Sequence, residues 1–471
     1  MTNISAAIRF LGNVSLLRTV SFSIIPRVIC LKNAINQQKV AVATLGCKVN
    51  QYESALVAQE LGADFMLVPF SSSADVYIIN TCTVTAQADF QSRQLIRRAR
   101  RRNPKAKIFV TGCYAEVSPC EINKIDSLSI ILGNKQKDAI SQIINNCATA
   151  ANIRLPARLT SDENCAFVPL KYFRGRTRAF LKIQDGCDAF CSYCVIPYAR
   201  NVKRSMPVKR VLDAAGHLAD NNYREIVLTG IHLGAYGSDL SPQTDLESLL
   251  EELIRAGLPA RFRLSSIEPR EITDKLLALM EKNDGICPHL HIPLQSGDDK
   301  ILRLMNRNYG ASFYRSLIHK VASAVKDICI GADVIAGFPG EGKDEFNNTY
   351  RLLEELPLSY LHVFPYSDRP HTAAAEFSDK IPEKIKKERA HLLRQLSARK
   401  KTEFATRFLG KKIFLLVEKT KDKNTGLYKG FSQNYLQVLL ENGRASSVNN
   451  IVEARIEKLS EGKIYGKIPA R

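Results

Sequence analysis

The stretch Cys187-Asp-Ala-Phe-Cys191-Ser-Tyr-Cys194 places three thiols in one short segment of the chain. Cysteine thiolates are the usual protein ligands of iron–sulfur clusters, and three of them can hold three irons of a 4Fe–4S cube. The sequence has no fourth cysteine at matching spacing, so one iron would stay open to bind a substrate or cofactor. Zinc coordination and unligated core cysteines are the alternatives. The spacing therefore predicts a cluster with three protein ligands and one open iron.

The chain of 471 residues is strongly basic, with 67 Lys and Arg against 47 Asp and Glu and a net charge of +20. This excess favours a polyanionic partner, with nucleic acid as the first candidate, over a merely soluble basic surface. The 12 cysteines are too few for a disulfide scaffold. Six of them form two groups of three, which indicates a reducing compartment with metal clusters, so we expect a cytoplasmic protein. No apolar run approaches the ~18 residues of a membrane span, so we expect no membrane partner. We also expect the protein to be a monomer.

Residues 1–38 form a segment of uncertain status. They contain Arg9, Arg18 and Arg27 but no acidic residue, and the first acid of the chain is Glu53. This composition is typical of an organelle transit peptide. We favour a dispensable extension or a start assigned too far upstream, because the recognisable domain begins abruptly at Lys39.

From residue 39 to about residue 150, short apolar segments alternate with helical ones. The apolar segments, typical of buried parallel strands with helices on both faces, cover residues 40–45, 76–80, 108–111 and 128–132. Three of them run into Cys47, Cys82 and Cys113. Sites in open parallel sheets form outside the carboxyl ends of the strands. We therefore expect these cysteines to converge as ligands of a second cluster, with three small buried thiols as the alternative.

A cationic segment follows the second of these strands. Residues 92–107 contain no acid, and the arginines that we select as candidate phosphate ligands are Arg97, Arg98, Arg100, Arg101 and Arg102. A solvated helix face and a phosphate-contacting surface are equally good interpretations. Residues 151–174 show little periodicity and are interpreted as a linker.

Residues 175–408 contain six strand–helix units. The predicted strands cover residues 180–184, 226–229, 262–265, 290–294, 332–336 and 361–365. Strands that alternate with helices of this length imply right-handed parallel crossovers. Six units make an incomplete version of the eight-fold barrel, with its site at the carboxyl ends of the strands. The open side of such a barrel suits a macromolecular substrate. His289 and His291 alternate on one strand, and packed, hydrogen-bonded interior residues are the favoured interpretation for them.

The last segment, residues 409–471, changes to short strands and turns, which suggests a small β-barrel. Aromatic and cationic residues lie close together in it, namely Tyr428, Lys429, Phe431, Tyr435 and Arg444. Rings beside cations suit RNA, whose unpaired bases stack on aromatic side chains. A barrel that only packs against the preceding domain is the alternative.

The two cysteine groups, the barrel strands and the basic tail together resemble the radical S-adenosylmethionine (SAM) methylthiotransferases over residues 39–471. This family implies an α/β protein with a methylthiotransferase domain on an open parallel sheet at 39–150, a partial (β/α)6 radical SAM barrel at 175–408 and a TRAM β-barrel at 409–471. It also implies two 4Fe–4S clusters, SAM and an electron donor such as flavodoxin or ferredoxin.

The sequence around Cys47, TLGCKVNQYES from Thr44 to Ser54, is similar to the branch that acts on N6-threonylcarbamoyladenosine at tRNA position 37. The isopentenyladenosine branch tends to read GCQMN, and the branch that modifies an aspartate of a ribosomal protein GCPKN. Both branches remain alternatives, and a non-catalytic RNA-binding iron–sulfur protein is the alternative from another class.

The resemblance also implies a division of labour without a protein acid or base. The cluster on Cys187, Cys191 and Cys194 would cleave SAM to a radical that removes the unactivated hydrogen from the adenine. The cluster on Cys47, Cys82 and Cys113 would present a methylated sulfur. The family pattern implies the following SAM-lining residues: Tyr193, Thr229, Gly230, Ser266, Glu268, Gln295, Ile335 and Gly337.

Overall fold

A computed structural model describes residues 38–62, 64–149, 170–173 and 175–469 of the chain. The predicted extension at 1–38 and the predicted linker at 151–174 lie almost wholly outside the described residues. Among the helices that are described, none is long and apolar enough to cross a membrane.

The first unit is a five-stranded parallel sheet in the order β2-β1-β3-β4-β5. Its strands are β1 (Lys39–Thr44), β2 (Met66–Val68), β3 (Val76–Thr81), β4 (Lys107–Gly112) and β5 (Ile130–Ile131). Its helices are α1 (Lys48–Leu61), α2 (Ala86–Arg102), α3 (Cys113–Val117), α4 (Pro119–Ile125) and α5 (Ile140–Thr149), with a 3-10 turn at Asn134–Ala139. The strand predicted at 128–132 is shorter than expected, because Leu128 lies 71% exposed in the turn before β5.

Alternate residues of the central strands face two separate apolar layers. In β3, Val76 and Ile78 pack in one layer and Tyr77 and Ile79 in the other. Successive side chains of a strand point to opposite faces, so a strand buried on both faces must be apolar throughout. This is why β3 reads as a continuous apolar run and carries helices on both sides.

The second unit is an incomplete barrel of six parallel strands, as predicted. Its strands are β6 (Ala179–Lys182), β9 (Glu225–Thr229), β10 (Arg261–Leu264), β11 (His289–His291), β12 (Cys329–Ala336) and β13 (Tyr360–Pro365), and a short hairpin, β7 (Gln184–Asp185) with β8 (Arg204–Ser205), follows β6. The barrel strands form two three-stranded sheets, β6-β9-β10 and β11-β12-β13. Two single bridges bring the two sheets together: Phe262 of β10 pairs with Ile286, which precedes β11, and Ser266, which follows β10, pairs with His291 of β11.

Helices surround the barrel and connect its strands. They are α6 (Ile196–Ala199), α7 (Val208–Asp220), α8 (Leu246–Arg255), α9 (Asp274–Lys282), α10 (Asp299–Leu304), α11 (Ala311–Ala324), α12 (Lys343–Glu355) and α13 (Glu383–Thr406), with 3-10 turns at Leu233–Ala235, Pro269–Glu271 and Ala373–Glu376. Helix α1 of the first unit packs on β6, and its Tyr52 and Leu56 belong to the apolar core of the barrel. The first unit is therefore docked on the barrel along the edge strand β6.

The third unit is a closed five-stranded barrel in the order β14-β15-β16-β18-β17. Its strands are β14 (Lys412–Lys421), β15 (Tyr428–Ser432), β16 (Gln437–Leu440), β17 (Ile451–Ser460) and β18 (Lys463–Lys467), with a 3-10 turn at Ala445–Ser447. Arg261 donates to Phe431 O at 2.8 Å and Arg263 to Gln433 O at 2.8 Å. Both arginines also bind Glu225, which is fully buried. Arg261 and Glu225 begin their strands, so the small barrel covers the amino-terminal end of the large one.

Candidate active site between two cysteine groups

The loop that carries Cys187, Cys191 and Cys194 is held by backbone contacts at the carboxyl end of the barrel. Cys187 N donates to Arg200 O at 3.1 Å, and Cys194 N donates to Cys191 O at 2.9 Å. Ser192 anchors the middle of the loop, since its hydroxyl donates to Leu304 O at 2.7 Å and its amide to Met305 O at 3.1 Å. The three thiols are thereby presented on one rigid loop.

Two basic side chains lie against these sulfurs, and sequence reasoning gave neither of them a role. Arg307 Nη1 donates to Cys191 Sγ at 3.3 Å, and the same guanidinium pairs with Glu268. His232 Nδ1 lies 3.7 Å from Cys187 Sγ, and its Nε2 lies 2.6 Å from Glu271 Oε1. Hydrogen bonds to ligand sulfurs tune the potential of a cluster. A signal for Arg307 in the sequence alone is hard to find, because it lies 116 residues from Cys191.

The second group forms where β1, β3 and β4 end side by side. Leu45 N donates to Asn80 O at 2.9 Å, which joins the first two turns. A Cβ added at Gly46 would lie 2.7 Å from Cys82 Sγ, and one at Gly112 would lie 2.3 Å from Thr81 O. Both glycines have positive φ values, 93° and 98°, which favour glycine. The structure thus brings Cys47, Cys82 and Cys113 together on three touching turns.

Burial decides the chemistry of these thiols. It raises the pKa of Cys82 to about 12 and that of Cys194 to about 12. These two free thiols are therefore protonated at neutral pH, and bound iron would supply the positive charge that a buried thiolate needs. Cys47 is exposed and Cys187 and Cys191 are partly exposed, so each group is open on one side. Each set fits a 4Fe–4S cube with three protein ligands and one accessible iron.

A buried polar network joins the two cysteine loops. Arg200, whose carbonyl receives the Cys187 amide, donates from Nη2 to Asn50 Oδ1 at 2.9 Å. Asn50 in turn donates to Leu45 O and to Thr81 O, both at 2.9 Å. Asn50 is 1% and Arg200 5% exposed. One arginine–asparagine pair therefore connects the Cys187 loop to the turns of Cys47 and Cys82.

Charged groups complete this network around Glu53. The carboxylate of Glu53 accepts from Arg200 Nη1 and Nη2 at 2.8 Å each, from Lys137 at 2.5 Å and from Lys182 at 3.1 Å. Asp185 accepts from Arg200 at 2.8 Å and from Lys182 at 3.2 Å. Burial raises the pKa of Glu53, but Arg200, Lys137 and Lys182 outweigh it and hold this pKa well below its usual range. Three cations thus face two carboxylates in a largely buried site.

Sequence reasoning missed this network, although a signal was present. Asn50 and Glu53 are three residues apart on the helix that begins at Lys48, so they share one face, and Cys47 directly precedes that helix. Arg200 closely follows Cys194, the last cysteine of the loop that also carries Cys187 and Cys191. Polar residues at helical spacing beside a ligand cysteine indicate a structural partner nearby.

The residues predicted to line SAM lie mostly at the carboxyl ends of four neighbouring strands. Thr229 ends β9 and Gly230 follows it, Ser266 and Glu268 follow β10, Gln295 follows β11, and Ile335 and Gly337 lie at the end of β12. Gln295 and Gly337 have φ values of 67° and 74°. Tyr193 packs beside Met305 and Phe338. Their contact with SAM stays a prediction.

The candidate RNA-binding arginines divide into two sets. Arg97, Arg98 and Arg101 are exposed. Arg100 instead pairs with Asp126 at 2.9 Å, and Arg102 donates to Phe70 O at 2.7 Å. The second set is thus engaged within the fold.

The candidate residues of the small barrel divide in the same way. Arg444 is exposed, Tyr428 lies 4.7 Å beneath Lys421, and Lys429 is 4.0 Å from Glu418. Phe431 lies 4.1 Å beneath Arg178, and the Tyr435 ring is 4.5 Å from the ring of His289. The last two rings therefore contact the large barrel, and RNA binding by this set stays a prediction.

Comparisons with known proteins agree with this arrangement. Family models match residues 39–133 (Uncharacterized protein family UPF0004) and residues 181–353 (Radical SAM superfamily). The chain is 39% identical over 434 residues to "Threonylcarbamoyladenosine tRNA methylthiotransferase MtaB" of Bacillus subtilis (strain 168), covering 89% of this chain and 94% of that one. It is 40% identical over 382 residues to the protein of the same name from Aquifex aeolicus (strain VF5), covering 80% and 92%.

A solved structure shares the fold at much lower identity. The radical S-adenosylmethionine methyltransferase TsrM from Kitasatospora setae, which holds cobalamin and a [4Fe-4S] cluster, superposes with a TM-score of 0.51 at 15% identity. The match covers 72% of this chain and 77% of that one. At this identity the likeness extends to the fold alone.

Proposed function

Because the chain belongs to the family of threonylcarbamoyladenosine tRNA methylthiotransferases, we propose that it converts N6-threonylcarbamoyladenosine at tRNA position 37 to its 2-methylthio derivative. The observation that carries this proposal is the pair of three-cysteine groups joined through Arg200 and Asn50. The reaction needs both a radical and a sulfur donor, and two cysteine groups held at fixed positions relative to each other can provide both.

The radical SAM model implies SAM and one 4Fe–4S cluster, which we assign to Cys187, Cys191 and Cys194. We assign a second 4Fe–4S cluster to Cys47, Cys82 and Cys113. When bound, SAM and the two clusters supply the radical that removes the adenine hydrogen and the sulfur that replaces it. Both donor sets fit this assignment because each is thiol-only and open on one side.

The protein's own residues bind and position these groups. Arg307 donates a hydrogen bond to Cys191 Sγ and so holds that ligand sulfur in place. Glu268, which pairs with Arg307, follows a strand end where SAM would bind. The hydrogen bond between Asn50 and Arg200 fixes the position of one cysteine loop relative to the other. Their burial keeps water out of the space between the loops, which protects a radical from side reactions.

The substrate and the other partners follow from the same proposal. The exposed arginines of α2 bind tRNA phosphates, while residues 39–150, 175–408 and 409–471 act as the sulfur-donating, radical-generating and RNA-binding units. An electron donor such as flavodoxin or ferredoxin reduces the radical cluster. The protein works as a monomer in the cytoplasm, where its tRNA substrate is found.

Mass spectrometry of tRNA nucleosides tests the proposal. Cells without the gene should accumulate N6-threonylcarbamoyladenosine and lose its 2-methylthio form, and the wild-type chain should restore it. The Cys113→Ala chain should not restore it. A loss of methylthiolated isopentenyladenosine or of a modified ribosomal protein would transfer the proposal to another branch. Unchanged nucleosides and unchanged ribosomal protein would favour a non-catalytic RNA-binding protein.

A further inference from the structure

Three potential metal ligands that belong to neither cysteine group meet inside the large barrel. His291, Asp333 and His362 offer ligand atoms that all lie within 4.8 Å of one another. Asp333 and His362 are register partners on β12 and β13, and His291 pairs with Gly331, two residues before Asp333. Because side chains alternate along a strand, the three point to the same side of the sheet. The parallel pairing of β11, β12 and β13 therefore builds the group.

The group is already joined by hydrogen bonds. His291 Nε2 lies 2.9 Å and His362 Nδ1 3.3 Å from the same oxygen, Asp333 Oδ1. One carboxylate oxygen therefore faces two imidazole nitrogens, one on each neighbouring strand.

A tyrosine orients the buried histidine from behind. The Tyr360 hydroxyl lies 3.2 Å from His291 Nδ1 and 2.9 Å from His289 Nε2. A Cβ added at Gly331 would lie 2.1 Å from Tyr360 Cζ, so the ring occupies space that only a glycine leaves free. A ligand histidine in a metal site almost always hydrogen-bonds through its second nitrogen in this way. His291 Nε2 is thereby directed at Asp333.

The group is accessible from one side. His291 is buried at 6% exposure, whereas the His362 side chain is 55% exposed. His362 and Tyr360 also line a cavity of about 630 Å³ between the two barrels, together with Phe431 and Tyr435. A cation could reach the group through this cavity, because His362 itself lines it.

We propose that His291, Asp333 and His362 bind one divalent transition metal of the zinc class. Two imidazole nitrogens and one carboxylate oxygen are a donor set that zinc prefers, at about 2.0–2.2 Å, and three protein ligands leave a position open. That position faces the cavity and takes water or an anionic oxygen donor. Zinc and one carboxylate give the centre a net positive charge. The site goes beyond the proposed function, whose two clusters make no use of these residues.

Zinc binding to the reconstituted holoenzyme tests the site, because iron then occupies the six cluster cysteines. The protein is dialysed against Zn²⁺, freed of unbound metal by gel filtration and measured by mass spectrometry for both zinc and iron, so that full iron content shows that the cluster cysteines are still occupied. We expect about one zinc per chain, lost in His362→Ala and in the nearly isosteric Asp333→Asn. His391→Ala, which removes an exposed histidine of α13, is the matched control. Tyr360→Phe should weaken zinc binding by about 10–100-fold, as loss of an orienting partner does.

X-ray absorption at the zinc edge identifies the ligands. Nitrogen and oxygen neighbours at about 2.0–2.2 Å support the site, whereas sulfur at about 2.3 Å would mean binding to cysteine. No zinc on the wild-type protein, or equal zinc on His362→Ala, would overturn the proposal and leave a hydrogen-bonded interior cluster. Far-UV circular dichroism checks that each variant is folded. These measurements do not use methylthiolation, so their outcome is independent of the proposed function.

Discussion

The substitution Glu53→Gln should loosen the contact between the first sheet and the large barrel. It keeps the side chain's shape but removes the charge that faces Arg200, Lys137 and Lys182. Asp185 would then be the one carboxylate of the network opposite three buried cations. Removing one partner of a buried ionic group typically costs about 3–5 kcal/mol, because the charges left behind lose their compensation. We expect a loss of this size in the free energy of unfolding at pH 7.

The matched control is Lys137→Met, which leaves two cations, Arg200 and Lys182, opposite two carboxylates. Its balanced charge should make it less destabilising than Glu53→Gln. The assay is urea unfolding followed by far-UV circular dichroism, since the chain has no tryptophan. Equal losses for the two variants would refute the reasoning, because the balance of charges would then not matter. A loss under about 1 kcal/mol for Glu53→Gln would also refute it, because exposed ion pairs contribute no more than that.

The pH dependence supplies a second check on Glu53. Although burial raises it, the neighbouring Arg200, Lys137 and Lys182 hold the pKa of Glu53 in the folded protein well below its usual range. The stability that it contributes is therefore complete above the pKa of the unfolded chain and is lost as the pH falls through the folded value. The difference between wild type and Glu53→Gln should be constant near neutrality and should shrink below about pH 4.5. A difference that grows in acid would contradict the assignment.

Three further expectations concern the clusters and the RNA surface. Reconstituted protein should hold about eight irons, and either Cys82→Ala or Cys191→Ala should halve this number. Full iron content in Cys82→Ala would misplace the second site. Arg307→Lys should shift the reduction potential of the radical cluster, because the hydrogen-bond donor to Cys191 Sγ is changed. An unchanged potential would mean that Arg307 does not contact the ligand sulfur in the loaded protein. The three exposed arginines of α2 are Arg97, Arg98 and Arg101. Changing them to glutamate should weaken tRNA binding, and the slope of the log binding constant against log salt concentration should fall by roughly 0.7–0.9 for each lost phosphate contact. The matched control reverses three exposed cations on outer helices of the large barrel, Arg255, Lys275 and Lys320, and equal weakening would mean that general charge drives the binding.

Local patterns were enough to predict the elements that form the site. Apolar runs that end at Cys47, Cys82 and Cys113 predicted three adjacent strand ends, and the sheet order places β1, β3 and β4 side by side. The six parallel strands of the large barrel followed from the same alternation. These features depend on periodicity and on the rule that parallel strands share one carboxyl edge, and both can be read from neighbouring residues.

Long-range partners could not be predicted in the same way. Arg200 and Glu53 are separated by 147 residues, and Arg307 reaches Cys191 across 116. A local sequence pattern does not show which buried charged residues form ion pairs with each other. The sequence predicted Phe431 and Tyr435 as RNA-binding rings. In the structure the small barrel presents them to the large barrel, where they contact Arg178 and His289. The orientation of one unit on another depends on surfaces that only the folded units present.

The central claim is that the two cysteine groups carry different chemistry, and the most direct measurement compares two single variants. Reconstituted Cys113→Ala and Cys194→Ala are reduced in the presence of SAM and tRNA, and 5′-deoxyadenosine and methylthiolated nucleoside are both quantified. We expect Cys113→Ala to form 5′-deoxyadenosine but no methylthio product, and Cys194→Ala to form neither. Formation of 5′-deoxyadenosine by Cys194→Ala, or of methylthio product by Cys113→Ala, would contradict the assignment of the two centres.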